Sequence, residues 1–302
     1  MASFLDQYGT EEQCRDAVYK MRWPRGYQCP ECGGEKYSEI RTRKLFQCSR
    51  CRHQTSLTAG TIFQGTKLSL RKWFLAMYFL TQGKSGISSI ALSCHTGVSQ
   101  NTAWSVKHKL MQVMLEREEK KQLSGRIEVD DAYWGGEGSG GKRGRGAPAK
   151  TPFLAAVETT MKGEPIRMKL NKINLFCKRT VLRWSRSQIA PDSFVLSDGL
   201  RCFNGLAEAG CLHLAINTEP GRKGVQHPAF RRVNTMLGNI KTAMAGTYHS
   251  ISGEHLPRYL ATFLYRFNRR FNLAEMIPRL LYVAVRTPPM PGRLLKLAET
   301  HW

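Results

Sequence analysis

Acidic side chains are scarce in this chain. Only 23 Asp and Glu stand against 46 Lys and Arg, a formal net charge of +23 over 302 residues, and no carboxylate falls between Pro220 and Gly253. Also missing is an uninterrupted apolar run of the roughly 20 residues that a membrane-spanning helix needs. The opening MASFLDQYGTEEQ is acidic and polar, unlike a secretory signal, so a cytoplasmic location is expected. A disulfide framework is not indicated either. Of nine cysteines, four form two CxxC pairs while Cys14, Cys94, Cys177, Cys202 and Cys211 are scattered, a grouping that favours reduced thiols and a metal. What the chain does have is a widespread positive surplus, which calls for a partner of dense negative charge: nucleic acid first, anionic membrane second. Its length allows a sizeable core with two or three domains.

Residues 1–25 read as a short leader with Cys14, Val18 and Met21 on one helix face. Next, Cys29-Pro-Glu-Cys32 is followed after fifteen residues by Cys48-Ser-Arg-Cys51. Two CxxC turns at that spacing supply a four-thiolate cage for structural Zn²⁺ and staple a hairpin too small to hold itself. Arg41, Arg43, Lys44, Arg50 and Arg52 flank the ligands, placed for phosphate contact or simply solvated. From Leu68 to Met114, apolar residues recur at helical spacing and Gly83, Gly86 and Gly97 interrupt them, so three helices are expected. Gly97 then provides a turn and Ser99 an N-cap, as in a helix-turn-helix, with Gln100, Asn101 and Lys107 on the face a recognition helix turns to the major groove. A plain three-helix linker bundle fits the same spacing. Glu116 to Lys121 reads as a solvated helix end.

The stretch IEVDDAYWGG, Ile127 to Gly136, has strand character and delivers Asp130 before a glycine pair. It runs into the glycine-rich Gly135 to Lys150, where Lys142, Arg143 and Arg145 suit a clamp on a phosphate backbone. Beyond it, strands are expected at Phe153–Thr160, Pro165–Leu170, Ser193–Leu196 and Cys211–Ile216. Helices are expected at Leu175–Gln188, Leu200–Ala209 and Phe230–Ala245. Three strands, helix, strand, helix, strand, helix is the element order of an α/β ribonuclease H-like fold, a mixed sheet flanked by helices.

In that fold the first strand and the end of the fourth lie side by side, so Asp130 and Asp198 of VLSDG should converge. Two carboxylates so placed can fix Mg²⁺ ions for an in-line phosphoryl displacement, one ion at the attacking water or 3′-hydroxyl and the other at the leaving oxygen. The helix after the last strand should carry a third ligand, and there the chain offers Asn234, with Lys241 about two turns later on the same face. An asparagine carbonyl ligates Mg²⁺ more weakly than Glu does, and Lys241 is placed to hold a phosphate. Glu128 and Asp131 are rival carboxylates, Glu128 on the strand face of Asp130 and Asp131 on the opposite one; both read as rim acids with a structural partner. Glu254 reads as a first-turn acid of the last long helix.

Together CPECG, CSRC, TAGTIFQGTKLSLRKWFLAMYFLT, GVSQNTAW, IEVDDAYWGG, KRGRGAPAKTP, SDG and NIKTAMAGTYHSISGEHLPRYLATFLYRFNRR resemble the bacterial insertion-sequence transposases with an N-terminal zinc ribbon and an ISXO-like DDE domain. The resemblance implies catalytic residues at Asp130, Asp198 and Asn234 with Lys241, as in a subgroup with Asn at the third position, and catalytic Mg²⁺ or Mn²⁺. It also implies strand cleavage and strand transfer on double-stranded DNA, namely the terminal inverted repeats and a target, by a homo-oligomer that associates with the nucleoid. The expected division is leader and ribbon at 1–66, helix-turn-helix at 67–122, catalytic domain at 123–275 and a C-terminal tail at 276–302, whose last part, PPMPGRLLKLAETHW, should be loosely attached. The C-terminal helix should present a wet arginine face suited to DNA. Two rival readings are a DNA-binding repressor that has lost catalysis and a metal-dependent nuclease that does not join strands.

Overall fold

The computed structural model describes residues 1–119, 121–135, 150–217, 227–248 and 251–298. By compactness the chain forms two units, one of residues 1–83, 87–113 and 272 onward, the other of residues 84–86 and 114–271. None of the described helices is long and apolar enough to cross a membrane.

In the first unit, α1 (Ala2–Tyr8) and α2 (Glu11–Arg22) precede an antiparallel ribbon of β1 (Tyr37–Ile40), β2 (Leu45–Cys48) and β3 (Gln54–Ser56). α2 opens with a capping box, Thr10 accepting from the Gln13 N–H while the Gln13 side chain accepts from the Thr10 N–H. The ribbon is too small for an aliphatic core, and Phe46 takes that place, with the rings of Tyr19, Trp23, Tyr27 and Tyr37 within 5.9 Å of it. The Glu11 carboxylate accepts the Leu70 and Arg71 N–H groups, both at 2.9 Å, and so caps α3 (Leu70–Gln82). α4 (Ser89–Thr96) starts on the Ser88 hydroxyl and ends at Gly97, whose φ of 60° no larger residue adopts without cost. Ser99 caps α5 (Gln100–Glu119) through the Thr102 N–H, as the sequence predicts.

The second unit holds β4 (Arg126–Trp134), β5 (Thr151–Thr159), β6 (Pro165–Lys172), α6 (Lys178–Gln188), β7 (Phe194–Asp198), the short α7 (Gly205–Glu208), β8 (Leu212–Ile216), α8 (Arg231–Thr247) and α9 (Leu256–Phe267). The sheet order is β6-β5-β4-β7-β8, antiparallel through β6, β5 and β4 and parallel through β4, β7 and β8. This is the mixed sheet of the ribonuclease H-like fold. β5 is apolar along nearly its whole length because both its faces are covered. Leu154 and Ala156 join Ile127, Val129 and Val195 under Val181 and Trp184 of α6. Phe153, Ala155 and Val157 join Ala132 and Leu196 under Val233, Leu237 and Ile240 of α8 and Leu260 of α9.

Four expectations change. Leu200–Ala209 is a 3₁₀ turn at Arg201–Asn204 followed by α7, not one helix. Within the expected tail, α10 (Met276–Ala284) buries Met276, Ile277, Leu280 and Leu281 in the first unit, because four apolar residues at helical spacing cannot stay in water cheaply; α11 (Gly292–Lys296) follows. The arginines around α9 are largely structural: Arg258 is 2% exposed, and Arg269 pairs with Glu118 and lies over the Tyr265 ring. Arg270 donates to the carbonyls of Pro165 and Ile166 while Asn268 bonds both the N–H and the carbonyl of Met168, so the open edge of β6 is covered.

The fourth change is Lys107, expected on an exposed recognition face but only 1% exposed. It sits among Val106, His108, Leu110 and Met111, all buried, so the apolar side of α5 is broader than its sequence period suggests. Desolvation lowers its ammonium to about 7 from 10.5. The folded pKa lies below the unfolded one, so the burden on stability is fully present below about pH 7 and fades toward pH 10.5. The stability of Lys107→Met relative to the wild type is therefore expected to be highest at and below pH 7 and to fall as pH rises to 10.5. Chemical denaturation across that range reads the difference; a relative stability that grew with pH would contradict the burial.

Candidate metal-binding catalytic site

Two groups of ligating side chains converge among the described residues. The first is the ribbon. Cys29, Cys32, Cys48 and Cys51 place one sulfur each within 4.8 Å of one another, with Cys29–Cys51 and Cys32–Cys48 both at 3.6 Å. Four sulfurs about 2.3 Å from a central zinc would have edges of about 3.8 Å, so the cage has the right size. Its protonation is that of an interacting set. Despite desolvation, backbone N–H groups of Cys32 and Glu31 and the neighbouring thiols lower Cys29 to about 6. The His53 N–H favours the Cys51 thiolate, but bonding to Cys32, Cys29 and Cys48, with desolvation, pushes it up to about 12. One thiolate forms easily and the last resists, a conflict that a cation bound to all four sulfurs removes.

The second group lies at one end of the sheet. β4 and β7 run parallel with Glu128 opposite Leu196, so two residues further on Asp130 stands level with Asp198. Asp130, Asp131 and Asp198, all half-buried, bring one carboxylate oxygen each within 4.8 Å of one another. Local bonds hold them: Asp130 Oδ1 accepts the Asp131 N–H at 2.8 Å, and Asp198 Oδ1 accepts the Leu200 N–H at 3.1 Å. Gly199 lets the next strand approach, since a Cβ there would lie 1.8 Å from Oδ1 of Asn217 at the end of β8. Three carboxylates this close repel one another unless a cation or proton lies between them, and hard oxygen donors suit a divalent cation.

Glu128, weighed from sequence as a rival ligand, has another task. It is 1% exposed, not on the rim, and accepts from the Arg126 guanidinium at 3.1 Å and from the Arg232 and Val233 N–H groups at 2.9 and 3.0 Å. A strand carboxylate thus caps α8 one residue before Asn234. Asn234 is half-buried in the first turn of α8, and Lys241, exposed two turns on, lines a cavity that also contains Asp131. The third carboxylate of the acidic cluster therefore comes from β4 and not from α8. Sequence alternation alone sends Asp131 to the opposite face, and its position inside β4, paired with Leu154 of β5, gives no sequence signal that its carboxylate would join the other two.

Gln100 and Asn101 are exposed at the start of α5. Asn101, Thr102, Ser105 and Lys109 face the loop Gln64–Leu68, including Lys67, across a groove of about 520 Å³ in the first unit. Lys142, Arg143 and Arg145 lie outside the described residues.

A ribonuclease H-like sheet with clustered acids on its first strand and at the end of its fourth, in a chain that also carries a four-cysteine ribbon, is the arrangement of a DDE-class domain. Residues 122–268 match the ISXO2-like transposase domain and residues 9–54 the transposase zinc-ribbon domain. The chain belongs to the insertion-sequence transposases built from these two domains. It is also 26% identical over 132 residues to an uncharacterized protein in transposable element ISH50 of Halobacterium salinarum. That stretch is 43% of this chain and 44% of the relative, so the chain spans less than half the length of the relative it matches.

The ribbon and the Glu128 cap can both be tested by substitution. Protein purified without chelator should carry about one zinc per chain, and Cys29→Ser with Cys32→Ser should lose it and soften the ribbon to proteolysis; a wild-type zinc content near zero would discard the cage. Glu128→Gln presents an amide nitrogen or a neutral oxygen to three donors, so a stability loss on the order of 2 kcal/mol is expected. Urea unfolding measures it, and an unchanged midpoint would mean that the cap contributes nothing.

Proposed function

We propose that this chain cuts DNA at the ends of an insertion sequence and joins the freed 3′-hydroxyls to target DNA. The observation that carries the reading is the convergence of Asp130, Asp131 and Asp198 where β4 passes the end of its parallel partner β7. A divalent cation held there, Mg²⁺ or Mn²⁺, supplies Lewis acidity at a phosphate. Asp130 and Asp198 are the principal carboxylates, fixed by the sheet, and Asn234 adds a neutral oxygen from the helix that Glu128 ties to the same strand. Lys241 is the cation that holds a non-bridging phosphate oxygen against the negative cluster. Duplex contacts are assigned to Gln100 and Asn101 with the adjoining Lys67 and Lys109, and to Lys142, Arg143 and Arg145. Lys107 is withdrawn from that set because it would have to leave the core.

The ribbon is assigned structural Zn²⁺. Holding two DNA ends at once requires more than one copy of the chain, so a homo-oligomer on DNA is part of the reading, as is action in the cytoplasm at the nucleoid.

Purified protein, labelled terminal inverted repeats, Mg²⁺ or Mn²⁺ and a target plasmid test it. Joined products are expected, and Asp130→Ala and Asp198→Ala should each abolish them, consistent with losses of several orders of magnitude when a metal carboxylate is removed. Joining that survived either substitution would refute the site. Cleavage without joining would identify a nuclease, and binding without cleavage a repressor.

A further inference from the structure

Beside the acidic cluster, within the second unit, lies a cavity of about 700 Å³ whose wall includes Asp131, Trp134, Lys150, Lys241 and Tyr248. Its volume falls within the roughly 300–1,000 Å³ typical of small-ligand sites, far too small for a duplex. The wall combines two chemistries. Trp134 and Tyr248, both half-buried and packed on the core under α8, offer aromatic surface; Lys150 and Lys241 offer ammonium groups. Tyr248 is braced from two sides. Its ring meets Tyr259 edge-on at 4.7 Å, and its hydroxyl lies so near Gly86 that a Cβ there would come within 2.7 Å.

Aromatic surface suits any base, because every base has a π-face, and ammonium groups suit the phosphate that accompanies it. A base inside a duplex is already stacked on its neighbours and cannot reach such a cavity until it leaves the stack. We propose that this cavity receives one unstacked nucleotide of the DNA strand processed at the acidic cluster, its base against Trp134 and Tyr248 and its phosphate at Lys150 and Lys241. The proposal rests on the DNA-processing role above and adds a substrate deformation to it. Because Asp131 belongs both to the cavity wall and to the carboxylate cluster, the captured nucleotide lies next to the reacting phosphate. Capture would therefore fix the strand's register relative to the carboxylates, whatever the identity of the base.

The test uses the full chain and duplexes ending in the terminal inverted repeat, with 2-aminopurine placed at one position at a time through the terminal and flanking nucleotides. Binding is followed separately by anisotropy, with Ca²⁺ in place of Mg²⁺. A several-fold fluorescence change at a single position is expected on complex formation. Trp134→Ala should lose it, Trp134→Phe should retain it, and Tyr248→Ala should weaken it, with thermal melting confirming that each variant is folded. Tight binding and normal cleavage with every base reporting a stacked environment would overturn the cavity assignment alone. Failure to bind this DNA would overturn the function on which it rests.

Discussion

A carboxylate buried to 1% exposure needs donors, and Glu128 finds two of its three in the first turn of α8, where backbone N–H groups have no helical partner. The bond works in both directions. It satisfies a charge that the sheet interior would otherwise reject, and it sets where α8 begins relative to β4. Asp130 lies two residues along the same strand, and Asn234 follows the last of the N–H groups held. The strand and helix that carry the proposed ligands are thus registered by one side chain that does no chemistry itself. Apolar packing of Val233, Leu237 and Ile240 against the sheet supplies the bulk of the adhesion, but packing alone tolerates sliding.

Scarcity of acid gives the other half of the logic. With twice as many bases as acids, each buried carboxylate has more than one candidate partner, and several of them serve backbone or guanidinium groups that define geometry. Buried Glu118 holds Arg269 and Asn268, and buried Glu158 takes Arg167 and the Ser124 N–H; half-buried Glu11 likewise caps α3. The three aspartates at the sheet end differ in being gathered against one another and half open to water. A site that concentrates negative charge in a protein of net charge +23 is a place where a cation and a polyanion can meet, because the surrounding field attracts the second while the cluster binds the first.

Much of this is legible in the sequence alone. The two CxxC turns need only their spacing, and the sheet order follows from the alternation of periods two and 3.6, which then predicts that Asp130 and Asp198 meet. What is not legible depends on tertiary context. Lys107 reads as a surface cation because residue type dominates such readings, whereas α5 is buried over most of its circumference. Arg269 and Arg270 read as uncompensated because Glu118 and the β6 carbonyls that receive them are about 100 to 150 residues away in sequence. Met276–Ala284 falls in the expected tail, yet its Pro278 stands in the first turn, where proline costs a helix no hydrogen bond.

Asp131 bears on the chemistry most directly. An asparagine in place of a carboxylate on α8 would leave a cluster one charge short, weakening its hold on a divalent cation. The charge is instead present on β4, where Asp131, next to Asp130, brings a carboxylate oxygen within 4.8 Å of those of Asp130 and Asp198. Placing two acids on the strand leaves the α8 position free to be neutral, and Lys241, which lines one cavity with Asp131, has no competing carboxylate on its own helix. In the proposed site the electrostatic work of three acids is shared between two strands, and α8 is the element assigned to the phosphate.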